Sequence, residues 1–326
     1  MSKRKQPVIA ICYDFDGTLS PGNMQEHSYF PSLEITPKEF WLQSKNRAKD
    51  QEADEILAYM RLMIEKATTD TGVKVTRSSF AEYGAKVSLF EGVEEWFSRI
   101  NIYGKTQGAK IEHYIISSGI KEMIEGTPIK RYFKKIFASA FMYDQHEVAY
   151  WPAQAINYTT KTQFLFRINK GLLDAWDNSK INAFIEKDKR PVSFARMIYI
   201  GDGSTDIPCM KLVKAQGGYS IAVYQPHSRK KKVSAEKLKD EDRVNFVAPA
   251  DYSEDSLIDM QVKAVIRQMV AVHAVLKGPV RYKIAESLAA PNEPEINTSI
   301  NIDTPILPAQ KRNDLPTSSG DIPAKG

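Results

Sequence analysis

Three short apolar runs, each ending abruptly in Asp, Ser or Gly, constrain the fold of this chain more than any other feature. Residues 8–13 (VIAICY) stop at Asp14-Phe15-Asp16-Gly17, residues 111–116 (IEHYII) at Ser117-Ser118-Gly119, and residues 197–200 (MIYI) at Gly201-Asp202-Gly203. A short continuous apolar run closed by turn residues is the pattern of a strand buried on both faces, as in a parallel sheet. Residues 135–140 and 219–223 are weaker strand candidates, and helical patterns over 93–103, 162–173 and 206–215 fill the gaps. Strands alternating with helices imply right-handed crossovers and an α/β fold with a doubly wound, mostly parallel, Rossmann-like sheet. In such sheets functional groups gather at the carboxyl ends of the strands, where these runs place Asp, Ser and Gly.

The alternation breaks between about residue 20 and residue 90. Thr36-Pro37-Lys38-Glu39 is a capping box with Pro at the first helical position, so a long helix is expected from there to about Lys66. A second is expected from Thr76 to Leu89, with no strand between. The stretch 20–89 therefore reads as a helical cap inserted after the first strand, with 1–19 and 90–277 forming the α/β core. A helix capped by Ser253 is expected to run to about Leu276. Beyond it, 278–326 is Pro-rich and aperiodic, the composition of a disordered tail.

Composition narrows the function classes. The net charge is +5, from 45 basic and 40 acidic residues over 326, too small an imbalance to argue for nucleic acid but suited to an anionic substrate. Two cysteines cannot form a disulfide framework, which fits a reducing compartment. No apolar run approaches the roughly 20 residues of a membrane span, and the six apolar residues behind the basic N-terminus are too few for a signal peptide. A cytoplasmic protein with no membrane or nucleic-acid partner is expected, and the sequence sets no oligomeric state.

Four segments carry chemistry. Asp14 and Asp16 follow a strand and precede a Gly that permits a tight turn, so both acids enter one concave site. Like charges this close raise each other's pKa unless a cation neutralises them, and a hard cation such as Mg²⁺ suits carboxylate oxygens. Alone, the pair also matches an acidic strand-to-loop turn. Gly201-Asp202-Gly203-Ser204-Thr205-Asp206 adds Asp202 and Asp206 from a second strand end, although Asp near a helix start is also a common cap. Ser117, with neighbouring backbone N–H groups, matches an anion cradle or a plain helix cap. Lys161, at a helix start, offers the fixed positive charge that a phosphoryl site needs, or simple surface charge.

At these residues the sequence resembles the haloacid dehalogenase superfamily, in particular its phosphatase branch, with a phosphoserine-phosphatase-like layout. DFDGTLS is similar to that family's nucleophile motif, Ser117 to its hydroxyl motif, Lys161 to its lysine motif and GDGSTD to its acidic metal motif, in the family's order. The resemblance spans about residues 7–225 and implies a Mg²⁺-dependent phosphomonoester hydrolase acting on a small phosphorylated metabolite. It implies that Asp14 attacks phosphorus to form an aspartyl-phosphate and that Asp16 serves as acid, then base. It places the metal on Asp14, Asp202 and the carbonyl of Asp16, with Asp206 in support. Ser117 and Lys161 would hold the phosphoryl group, and Thr18 is a lesser candidate for orienting Asp16. A phosphomutase with the same nucleophile and a non-catalytic phospho-ligand-binding protein remain open. Substrate choice is expected to reside in the cap, where Glu26, His27, Tyr29, Arg61 and Arg77 are candidates, although each also reads, and more readily, as a structural or surface residue. The run Arg229-Lys230-Lys231-Lys232 is expected to be a solvated loop.

Overall fold

The structure, a computed structural model, describes residues 6–69 and 72–277; the expected tail over 278–326 lies outside the described residues. Seven strands form one sheet: β1 (Val8–Tyr13), β2 (Lys110–Ile120), β3 (Phe133–Tyr143), β4 (Ala149–Gln154), β5 (Met197–Gly201), β6 (Tyr219–Tyr224) and β7 (Phe246–Pro249). Their order is β4-β3-β2-β1-β5-β6-β7, and every pairing is parallel except β3 with β4. Without β4 the strands follow the order of a Rossmann sheet, with the direction of winding reversing between β1 and β5. The fold class is the α/β arrangement that the apolar runs imply.

Five helices lie between β1 and the first crossover helix: α1 (Met24–His27), α2 (Tyr29–Ser32), α3 (Pro37–Asp50), α4 (Glu55–Thr69) and α5 (Arg77–Gly84). They are followed by α6 (Val93–Thr106), α7 (Lys121–Gly126), α8 (Thr160–Lys170), α9 (Ile207–Ala215), α10 (Arg229–Asp240) and α11 (Leu257–Lys277). Because successive side chains of a strand point to opposite faces, β1 divides its residues between two apolar layers. Ile9, Ile11 and Tyr13 join α6 and α11 through Trp96, Phe97, Ile258 and Val262. Ala10 and Cys12 join α8 and α9 through Phe164, Leu165, Cys209 and Met210.

A buried polar relay ties β1 to β2 and α6. Trp96 Nε1 donates to Tyr13 Oη at 2.9 Å. Tyr13 Oη lies 3.0 Å from His113 Nδ1, and His113 Nε2 lies 3.2 Å from Asn101 Oδ1. With a neutral His113, Tyr13 donates to Nδ1 and Nε2–H donates to Asn101, and all three contacts are satisfied. Burial pushes its pKa down to about 3, in agreement with that arrangement.

Several elements differ from the sequence expectation. The single helix expected from Pro37 to about Lys66 is two, α3 and α4, because Glu52 turns left-handed (φ 48°) and Asp54 Oδ1 accepts from Ile56 N and Leu57 N, capping a new helix. Helix α5 ends at Gly84, not Leu89. Ser117-Ser118-Gly119 belongs to the end of β2 and not to a helix start. Helix α11 starts at Leu257, with Ser256 Oγ accepting from Asp259 N at 3.3 Å in place of a Ser253 cap. Strands β4 and β7 were not expected. The first contains Pro152, tolerable because β4 is at the sheet edge, and the second is only four residues long. The run Arg229-Lys230-Lys231-Lys232 is the first turn of α10 and not a loop.

The buried neutral His113 makes stability pH-dependent. Its folded pKa, about 3, lies below the ordinary 6.5, so between those values the unfolded chain binds a proton that the native chain does not, and stability falls as pH falls. Urea titrations of wild type and His113→Gln at pH 7 and pH 5 are expected to show wild type losing about 2 kcal/mol more than the variant. Parallel pH dependences would refute the neutral buried imidazole.

Candidate active site

The ends of β1, β2 and β5 meet in a cavity of about 330 Å³ whose lining includes Asp14, Asp16, Ser117, Ser118, Asp202 and Lys231. Asp14 follows β1 directly, and its N–H bonds to Ile200 O of β5 at 2.9 Å, so the sheet register carries on to Asp14. The chain then folds tightly: the N–H groups of Thr18, Leu19 and Ser20 all point to Phe15 O, and Gly17 N bonds to Ser20 O at 2.7 Å. Gly17 has φ 71°, and a Cβ there would lie 2.3 Å from Asp202 Oδ2. The glycine therefore permits the turn and also leaves room for the acid from β5.

Asp16 accepts from Met24 N at 2.8 Å, so the first helix of the insert holds its carboxyl. Gly119, at the end of β2, leaves space on the other side: a Cβ there would lie 3.0 Å from Asp16 Oδ2 and 2.1 Å from Met24 Cε. Ser117 Oγ accepts from Gly119 N at 3.1 Å. Tyr59 of α4 donates to Ser118 O at 2.6 Å, a second link between insert and strand end.

Lys161 is fully buried at the start of α8. Its ammonium donates to Asp14 Oδ2 at 2.8 Å and Asp206 Oδ1 at 2.7 Å, with Thr205 Oγ1 at 3.3 Å. Asp206 is held further by Tyr199 Oη, 2.7 Å from the same Oδ1, and by Gly203 N at 3.3 Å from Oδ2. Asp14 Oδ1 accepts from Phe15 N at 2.7 Å. Both oxygens of the nucleophile candidate are thereby oriented.

The electrostatics follow from four carboxyls gathered about the buried ammonium of Lys161, with the half-exposed ammonium of Lys231 at Asp202. Burial, then the neighbouring Asp206, raises the Asp14 pKa above the usual carboxylate range, while Lys161 pulls it down. Burial and Asp14 raise Asp16 strongly, which favours a protonated carboxyl there. Asp202 is pushed up to about 6 by burial and by Asp206. For Lys161, burial acts to lower the pKa, but Asp14 and Asp206 outweigh it and hold the amine above its ordinary value. The protein supplies less positive charge than the acids call for. Asp14, Asp202 and Asp206 each bring a carboxylate oxygen within 4.8 Å of the others. Hard oxygen donors in a charge-deficient cluster suit a divalent cation such as Mg²⁺.

Of the residues singled out from sequence, Asp14, Asp16, Ser117 and Asp202 line the cavity, while Lys161 and Asp206 form the ion cluster with Asp14. Thr18 does not line it: the residue is fully buried, its Oγ1 has no hydrogen-bond partner, and its carbonyl accepts from Tyr252 Oη at 2.9 Å. None of the five insert candidates lines it either. Glu26 accepts from Trp41 and Asn23, His27 lies 2.8 Å from Pro21 O, Tyr29 donates to Met63 O, Arg61 pairs with Glu65, and Arg77 pairs with Glu147. Sequence reasoning missed Tyr199, which reads as a core strand residue, and Lys231, whose basic run reads as solvated surface.

The chain belongs to the haloacid dehalogenase-like hydrolases, whose family model matches residues 11–211. An uncharacterized protein of Borreliella burgdorferi is 28% identical over 275 residues, covering 76% of this chain and 93% of that protein. Similar solved structures include a probable phosphoserine phosphatase from Vibrio cholerae, at 13% identity and TM-score 0.49, covering 84% of this chain and 68% of that one. A hydrolase of the same family from Salmonella enterica serovar Typhi is 17% identical with TM-score 0.47, covering 70% of this chain and 67% of that one.

Two substitutions test the packing of this site. Lys161→Met leaves Asp14 and Asp206 without their shared partner and is expected to cost about 3–5 kcal/mol in urea unfolding, as for other broken buried ion pairs. Gly17→Ala is expected to cost about 1–2 kcal/mol from the left-handed backbone alone, with a further loss because Asp202 must move.

Proposed function

We propose that this protein is a Mg²⁺-dependent phosphomonoester hydrolase that acts on a small phosphorylated metabolite through an aspartyl-phosphate. The observation that carries the reading is the Lys161 ammonium held between Asp14 and Asp206 beneath a cavity into which Asp16 enters from a separate anchor. A carboxylate is a poor nucleophile toward a phosphate dianion unless fixed positive charge cancels their repulsion.

Asp14, oriented by Phe15 N and Lys161, attacks phosphorus with one carboxylate oxygen as the ester P–O bond breaks. The leaving alkoxide takes the proton of the Asp16 carboxyl, whose raised pKa keeps it protonated. Asp16, now a carboxylate, removes a proton from water as that water attacks the phosphorus. The Asp14–phosphate bond then breaks, releasing inorganic phosphate. Ser117 and Lys161 hold the phosphoryl oxygens. The side chains of Asp14 and Asp202, the carbonyl of Asp16 and, in support, Asp206 would hold Mg²⁺, which when bound cancels charge on the carboxylates and the phosphoryl group. In this reading residues 1–19 and 90–277 act as the catalytic core and 20–89 as its cap, which reaches the site through the contacts of Met24 with Asp16 and of Tyr59 with Ser118.

With p-nitrophenyl phosphate, activity is expected to require Mg²⁺, to vanish with EDTA, and to drop at least about 10³-fold in Asp14→Asn. Incorporation of ¹⁸O from labelled water into released phosphate is expected and separates hydrolysis from return of the group to substrate. Turnover persisting in a folded Asp14→Asn variant would remove the covalent mechanism.

A further inference from the structure

The transfer chemistry leaves one cation at the cavity without a task. Lys231, in the first turn of α10, lines the cavity, and among the described lining residues it is the only cation, facing Asp14, Asp16 and Asp202. Its Nζ lies 3.4 Å from Asp202 Oδ2, and its side chain is 55% exposed. Charge-assisted hydrogen bonds of this kind are ordinarily about 2.7–2.9 Å long, and a half-exposed pair at longer range adds little to stability. The pair is loose enough for the amine to take another acceptor.

The setting of Lys231 is also costly to the fold. Arg229, Lys230, Lys231 and Lys232 occupy the first turn of α10, with no acid among them, where the helix dipole disfavours positive charge. Lys232 approaches Glu236 at 3.6 Å, a turn further along the helix. An anion brought to the cavity rim would relieve this concentration of charge. The buried Lys161 already meets Asp14 and Asp206, so the reacting phosphoryl group has its own cation and does not need Lys231.

We propose that Lys231 is a specificity residue that binds a second anionic group on the substrate, so that the site selects phosphomonoesters carrying a carboxylate or a further phosphate beyond the ester that is cleaved. The proposal rests on the phosphatase reading and names the substrate class for that site. An ammonium on a flexible stem at a half-exposed rim suits either anion, since it acts as a movable point charge and not as a planar fork.

The test uses matched substrates. Glycerol 3-phosphate and 3-phosphoglycerate differ by a carboxylate, and fructose 6-phosphate and fructose 1,6-bisphosphate differ by a phosphate. The wild-type protein with Mg²⁺ is expected to favour the more anionic member of at least one pair about tenfold or more in kcat/KM, and the favoured pair identifies the anion. Lys231→Met is expected to reduce that ratio about tenfold, equivalent to about 1.4 kcal/mol, through KM, and Lys231→Arg to restore most of it. No wild-type preference, or a ratio unchanged in Lys231→Met, would overturn the proposal. Calorimetric titration of the same ligands into Asp14→Asn, with and without Lys231→Met, reads the subsite without turnover. If wild type hydrolyses no phosphomonoester while the calorimetric preference still depends on Lys231, the phosphatase reading falls and the subsite stands. If turnover occurs but neither measurement responds to Lys231, the subsite falls alone.

Discussion

A single buried ammonium, Lys161 Nζ, joins segments that are far apart in the chain: the end of β1 through Asp14, the turn after β5 through Asp206, and α8 itself. Removing three charges from water is expensive, and their mutual attraction compensates only when geometry and hydrogen bonding are good. Here the geometry is good. Asp206 also receives Tyr199 and Gly203 N, and Asp14 receives Phe15 N, so the carboxylates are fixed from the protein side before any ligand arrives. The cluster has more negative than positive charge, which makes it a poor way to stabilise a fold and, under the proposed function, a good way to prepare a site for a cation and a phosphoryl group.

The sheet topology explains why these groups meet. Winding reverses between β1 and β5, and the crevice at such a reversal is open at the carboxyl ends of the strands. Asp14 and Asp202 emerge on either side of that crevice, with Ser117 from β2 on the outer flank of β1. Two glycines set the spacing: Gly17 makes room for Asp202, and Gly119 makes room for Asp16 and Met24. The helical stretch between β1 and α6 is tied to these strand ends. Its first helix supplies the N–H that holds Asp16, and Tyr59 of α4 grips the carbonyl of Ser118.

Much of this architecture was legible in the sequence because buried parallel strands are locally encoded. The run VIAICY needs no partner to identify it as a buried strand, and the structure divides it, with Ile9 and Ile11 in one layer and Ala10 and Cys12 in the other. The less legible elements are those whose identity depends on their neighbours. Strand β4 contains Pro152 and is a strand only because it lies at an edge, where a missing N–H does no harm. The break between α3 and α4 rests on Asp54 turning its carboxylate to the next helix, a local signal that does not stand out among charged helix-forming residues.

The alternating α/β order and the acids and hydroxyl at strand ends could be read from the chain, since each is a property of a few adjacent residues. Tertiary structure alone decided which charges share a partner. That Lys161 lies between Asp14 and Asp206, that Tyr199 joins them, and that Lys231 reaches the cavity while Arg61 and Arg77 turn to Glu65 and Glu147 are all facts of distance. Electrostatic energy depends on separation in space and on burial, and neither can be read from spacing along a chain that crosses its own sheet between one acid and the next.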